Sequence, residues 1–267
     1  MFQKIITTLS LPTLALSMMS QQMIKEFEDL AKEIDPSKFE LPEDCKDNPN
    51  QEHCKLRSFG SSWAQKMIDS IDGYGCWCYF QNEHGQGRGE AQNEVDLQCK
   101  ILHNGYSCII EDAQAMEADD IDFEDPCIPW DVEYNSASGL GMVVTNPNNQ
   151  EVEQALRHKC RKANKDNWCA EKSCVVENYF IIKTLHLFLK GVEFNPKLKH
   201  SLGFFDPRAD CPIKQGRGDS ERLCCGEYPV RFPYKTLGGE RGCCVNKTFS
   251  TTRLHCCDDG SVRLSCY

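Results

Sequence analysis

Cysteine limits what this chain can fold into more than any other residue type. Of 267 residues, 18 are cysteine, and none precedes Cys45. Six of them stand as adjacent pairs, Cys224-Cys225, Cys243-Cys244 and Cys256-Cys257. Adjacent cysteines join each other only by straining the peptide between them. Each pair must therefore send its two sulfurs to two different places. An even number of cysteines in an exported chain predicts a disulfide framework. Residues 45–174 hold ten and residues 211–266 hold eight, both even, so the expected division is into two self-contained disulfide units. The second is small enough to depend on its staples, because a chain of about 60 residues buries too little apolar surface to stand alone.

The N-terminus is consistent with an oxidising destination. Lys4 closes a short polar start, Ile5–Leu16 is largely apolar, and Ala15-x-Ser17 offers small residues for cleavage. Residues 1–20 read as a secretory signal peptide, too short and too broken by Pro12 to span a bilayer. The other apolar run, Val175–Leu189, is interrupted by Glu177, Asn178 and Lys183. The expectation is a soluble protein that is secreted to the extracellular space. A net charge of −10 leaves no electrostatic footprint for nucleic acid. It suits calcium, cationic partners or zwitterionic surfaces instead.

Hydrophobic spacing divides the rest. Met23, Phe27, Leu30 and Ile34 form a helical stripe within residues 21–52, an N-terminal extension or pro-segment that ends in a linker rich in Pro, Asp and Asn. Residues 53–195 form the main domain. Within it, Ser61–Asp72 reads as an amphipathic helix with Trp63, Met67, Ile68 and Ile71 facing inward. A Gly-punctuated loop follows over Cys76–Gly89, and Val95–Ile110 reads as a helix carrying His103 between Cys99 and Cys108. Glu111–Pro126 holds eight acids and no base, the pattern of a solvated acidic face or loop. Glu151–Asn164 and Trp168–Lys190 are helical in pattern. Residues 196–267 are poor in helix formers, and Pro229, Pro233 and Gly238-Gly239 predict turns between short strands. The fold class is mainly α and disulfide-rich, with a small, stapled, β/turn-rich C-terminal domain.

The order of short helix, Cys-x-Cys loop, histidine helix, long excursion and cysteine-bearing helix resembles secreted phospholipase A2. Trp63-Ala-Gln-Lys-Met-Ile68, Tyr74-Gly-Cys-Trp-Cys78 and Val95-Asp-Leu-Gln-Cys-Lys-Ile-Leu-His103 carry the resemblance, which spans about residues 60–185. It implies an antiparallel helix pair beside a calcium-type loop. It also implies that His103 is a general base, taking a proton from the water that attacks the sn-2 ester of a phospholipid at a membrane surface or micelle. A Ca²⁺ ion would stabilise the oxyanion. The implied ligands are the backbone of Trp77, Tyr79 and Gln81 together with Asn104, which stands where the family has a carboxylate. An amide brings one oxygen and no charge, so calcium binding is expected to weaken. Glu83 is the nearby acid that could compensate, its plain reading being a solvated loop residue.

The resemblance further implies a bridge Cys78–Cys99. The family also ties its two helices by a disulfide near the histidine, implying Cys108–Cys174 and placing Glu177 against His103 as its orienting carboxylate; Asp166 is the competitor. Tyr106 reads either as a supporting hydroxyl or as a core tyrosine. Two functions follow: a calcium-dependent phospholipid hydrolase, or a catalytically impaired binding, adhesive or matrix protein in which Asn104 has cost the metal. A lipid carrier using the same apolar channel is a third. Arg217, Gly218 and Asp219 match an integrin-binding tripeptide, which a solvated turn explains equally. Asn246-Lys-Thr248 is an acceptor for N-glycosylation.

Overall fold

The structure is a computed structural model that describes residues 19, 21–33, 62–80, 87–118, 126–137, 139–140, 149–190, 192, 194–212 and 221–266. The signal-peptide reading, the linker, Gln81, Glu83 and the Arg217-Gly218-Asp219 motif lie outside those residues, as does the side chain of Trp63. The principal helices are α1 (Gln21–Glu33), α2 (Ser62–Ile71), α3 (Glu94–Ala118), α4 (Asn149–Ala163) and α5 (Trp168–Leu189). A short α6 (Pro207–Asp210) follows two 3-10 turns, Pro196–Leu198 and His200–Leu202.

Helix α5 is the centre of the body. Asn167 begins it from an extended conformation and accepts the amide of Ala170 on its side chain, so one otherwise unpaired donor of the first turn is satisfied. The apolar run that follows is covered on nearly every side, with Val175, Val176, Ile181, Ile182 and Leu185 all buried. A helix apolar all round belongs in a core. No helix among the described residues is long and apolar enough to cross a membrane. Helices α3, α4 and α1 pack on α5. The approach of α3 is close because residue 105 is glycine: a Cβ there would come 2.7 Å from Val176 Cγ1. Helix α1 lays Met23, Phe27, Leu30 and Ala31 into the same core.

Helix α3 runs eight residues past its expected end, through the first part of the acidic tract. The sequence offered Glu111 and Asp112 as solvated charges. Instead Asp112 takes both prongs of the Arg231 guanidinium, at 2.9 and 3.0 Å, and the Tyr228 hydroxyl at 2.8 Å. Arg222 reaches Glu111 at 2.7 Å. Bidentate, part-buried pairs of this kind fix orientation as well as energy.

Those arginines come from the C-terminal module, which is three two-stranded antiparallel ribbons. They pair β1 (Arg222–Cys225) with β2 (Phe232–Lys235), β3 (Arg241–Cys244) with β4 (Lys247–Ser250), and β5 (His255–Cys256) with β6 (Val262–Arg263). Isolated ribbons are marginal in water, and here sulfur joins them. Cys108 bonds Cys224, Cys225 bonds Cys243, Cys244 bonds Cys256, and Cys257 bonds Cys266. Each adjacent pair thus passes the chain of staples to the next ribbon, the branching that the pairs required. The root of that chain is on α3.

The expected division into two closed sets of bridges therefore fails. Cys76–Cys211 and Cys108–Cys224 both cross between the sets. Residues 196–211, assigned from sequence to the C-terminal domain, fold back onto the Gly73–Tyr79 loop. Parity of counts is necessary for closed sets and does not guarantee them. Replacing Cys108 and Cys224 by serine releases a closure of 116 residues. Chain entropy sets the expected loss of unfolding free energy at about 3–5 kcal/mol. Chemical denaturation checks it, and a loss under about 1 kcal/mol would mean that the arginine pairs alone hold the module.

Candidate functional site

The loop after α2 turns on two glycines with positive φ, Gly73 at 66° and Gly75 at 61°. Its anchor is Asp96, fully buried in the first turn of α3. That carboxylate accepts the amides of Cys76 (2.9 Å), Trp77 (2.7 Å) and Gln92 (2.8 Å). Burial pushes its pKa up, and the three amides, which favour the charged form, pull it back. A Cβ on Gly75 would come 2.5 Å from the Asp96 carboxyl carbon, so glycine is required there for space as well as for φ. The sequence shows Asp96 only as part of the run Val95–His103, with no role of its own. Its signal was the spacing to the Cys-x-Cys turn. Cys78 and Cys99 are bonded to each other, which fixes the loop to α3 one turn before His103.

His103 is 2% exposed. Its ring lies 6.3 Å from both the Trp77 and the Phe80 rings, measured between centroids. Burial pushes its pKa down to about 4, against the opposing effect of hydrogen bonds to the backbone of Tyr79 and Trp77. The imidazole is thus neutral at physiological pH, the form a base needs, in a place with little room for water.

The loop oxygens are already engaged. The Tyr74 carbonyl accepts from the Cys78 amide, the Cys78 carbonyl from the Gly73 amide, the Cys76 carbonyl from the Arg88 amide, and the Trp77 carbonyl from the Tyr79 amide. The folded-back segment supplies more partners. His200 donates its amide to Gly73 and sets Nε2 2.7 Å from the Gly75 carbonyl. The same ring stacks between Tyr79 (4.6 Å) and Phe205 (5.7 Å). Lys199 reaches the carbonyls of Asp69, Ser70 and Asp72, and Cys76–Cys211 closes the strap. None of these strap contacts was foreseen, because residues 196–211 carry no motif.

The implied calcium ligands can be tested on this arrangement. The described donors are the Trp77 carbonyl, the Tyr79 backbone and Asn104, which is half-buried. Asp96 is committed to amides. Asn104 brings an oxygen without charge, and Ca²⁺ favours six to eight oxygens with charge among them. Cys108, Glu111 and Cys224 lie together as metal-ligand types, but both sulfurs belong to the disulfide. Trp77, Tyr79 and Asn104 alone supply too few oxygens for a calcium cage, and Gln81 and Glu83 lie outside the described residues.

Glu177 also departs from expectation. The bridge Cys108–Cys174 is not made: Cys108 bonds Cys224, while Cys174 bonds Cys160, and Cys127 bonds Cys169. The contact His103···Glu177 is not made either. The Glu177 carboxylate accepts the hydroxyl of Tyr106 at 2.6 Å and that of Tyr134 at 2.8 Å. Tyr106 lies on the His103 face of α3, one turn further along, and its hydroxyl reaches the acid first. Asp166, the alternative partner, is exposed beside Lys165. Tyr134 was not anticipated. It is held in place by Asn164, whose side chain accepts the Asn135 amide at 2.7 Å and donates to the Asn135 carbonyl at 3.1 Å. Burial raises the Glu177 pKa to about 7, the tyrosine hydroxyls oppose this, and Glu26 adds to it.

Comparison with protein-family models, curated proteins and solved structures finds no match for the chain.

This geometry predicts a His103 ring that stays neutral across the physiological range. Imidazole NMR signals followed against pH should show no His103 midpoint above about pH 5. A midpoint at the ordinary histidine value, about 6.5, would place the ring in water and in reach of substrate.

Proposed function

We propose that this is a secreted phospholipase A2-like protein that binds rather than hydrolyses, its helical body acting as a rigid scaffold for the cysteine-rich module. One observation carries the reading: Glu177 gives its oxygens to Tyr106 and Tyr134 and none to His103. The His103 ring is held by the backbone of Tyr79 and Trp77 instead, so no carboxylate from Glu177 stands behind it to support the imidazolium that general-base catalysis would form. The loop supports the same conclusion, since its carbonyls bond within the chain and Asn104 brings no charge to a metal. Eight disulfides among the described residues fit an oxidising, extracellular setting. Asn246, exposed beside Val245 in the turn between β3 and β4, is open to a glycan. The partner class proposed is a lipid surface or amphiphile met by the apolar body.

The hydrolase remains the second reading, favoured by the neutral His103 beside the Trp77 and Tyr79 backbone. Mature protein given phosphatidylcholine vesicles, with calcium or with chelator, separates the two. The binding reading expects no calcium-dependent release of fatty acid, and Asn104→Asp alone should not create it, because Glu177 is still committed elsewhere. Release that requires calcium and disappears in His103→Gln would overturn the binding reading.

A further inference from the structure

The strap over the loop ends in a turn whose side chains serve neither the core nor the candidate site. Leu202 is 53% exposed and Phe204 74%, with Gly203 between them. Single apolar residues on a surface need no explanation, but these two share one turn. Gly203 has φ 72°, the left-handed conformation that ends the 3-10 turn His200–Leu202, and its amide bonds the His200 carbonyl at 3.0 Å. A Cβ on Gly203 would meet nothing within 4 Å, so the turn stands open on that side.

The turn is held firmly from behind. Phe205, next along, is buried, and its ring stacks on His200 at 5.7 Å with the planes 8° apart. With Cys76 and Cys211 it forms a small apolar cluster against which Trp77 and Leu198 pack. Arg88 takes the Pro207 carbonyl through two nitrogens, at 3.3 and 3.0 Å. Anchored through His200, Lys199 and Cys211 as well, the frame presents Leu202 and Phe204 already ordered, so little entropy is lost when they meet a partner. The charge nearby differs from that of the whole. In a chain of net charge −10, residues 195–212 carry Lys197, Lys199 and Arg208 against Asp206 and Asp210. Lys197 and Arg208 are exposed, whereas Asp206 and Asp210 each give an oxygen to a backbone amide at the start of α6 (2.9 and 2.8 Å).

We propose that Leu202-Gly203-Phe204 is the anchor by which this protein enters a zwitterionic lipid surface, a proposal that rests on the lipid-binding reading above and gives it a place. A tip of two side chains offers far less area than the roughly 800 Å² per partner of a stable protein interface. A lipid surface needs no matching pocket: it takes apolar side chains at the headgroup boundary, with binding that scales with the area they bury. Lys197 and Arg208, beside the tip in sequence, can lay their apolar stems along the surface and set their charges at lipid phosphates. The net charge of −10 turns the chain away from strongly anionic bilayers, which leaves phosphatidylcholine as the fitting surface. Two side chains make the attachment reversible. Because Cys76–Cys211 ties the strap to the loop, the anchor would bring the loop that borders His103 to the lipid with it.

Co-sedimentation of the full secreted chain with phosphatidylcholine vesicles tests this. Replacing Leu202 and Phe204 together by serine should weaken binding at least about tenfold. Both side chains are exposed, so thermal unfolding should not change. Leu264→Ser removes an equally exposed apolar residue from the C-terminal module and should leave binding within about twofold of wild type. Phe204→Trp should keep binding, and its added indole emission should move to the blue on vesicles. Wild-type binding that the double variant leaves intact would overturn the anchor and spare the lipid-binding reading, whereas a wild type that ignores the vesicles would overturn both. An unshifted Phe204→Trp emission, or tighter binding to phosphatidylserine vesicles than to phosphatidylcholine, would also overturn the anchor. So would a lipid-free dimer in sedimentation velocity that the double variant dissociates, because the tip would then be a contact between copies.

Discussion

A carboxylic acid buried on the central helix must find donors, and the way Glu177 finds them arranges much of this molecule. Its oxygens draw in Tyr106 from α3 and Tyr134 from the excursion between α3 and α4. Asn164 at the end of α4 fixes that excursion, and Ser136 two residues on receives Glu26 from α1. Four segments meet around one acid. An unsatisfied carboxyl there would cost more than each bond returns. Commitment to this network is also what separates Glu177 from His103.

The second organising fact is covalent. The bridges Cys76–Cys211 and Cys108–Cys224 bring distant chain onto the loop and onto α3. One pins a strap across the candidate site, and its His200 takes a loop carbonyl. The other starts the relay of staples that gives three marginal ribbons a common frame. Arg231 and Arg222 then find acids on α3 that would otherwise face water. The module is thus joined to the helix that bears His103 by one disulfide and by the arginine pairs.

The sequence disclosed what periodicity and local spacing control. The five long helices were visible in the recurrence of apolar residues, and the Cys78–Cys99 pairing came with the family resemblance. What stayed hidden depended on distant partners. The extra turns of α3 need arginines more than a hundred residues away. The choice of Cys224 over Cys174 by Cys108 is a question of which face α3 turns to the module, which a count of residues along the helix does not settle. The competition of two tyrosines for Glu177 needed Tyr134, placed by an asparagine on a third element. The loop glycines were legible as turn formers, but Asp96 as their anchor required seeing three amides converge.

The central claim is that Glu177 belongs to its tyrosines and not to His103. The side-chain carboxyl carbon of Glu177 followed by NMR against pH, in the wild type and in His103→Gln, tests it most directly. The account predicts one midpoint near 7, the same in both proteins. A wild-type midpoint below about 5 that rises by about one pH unit or more in His103→Gln would show an ionised acid paired with the imidazole, and would contradict it.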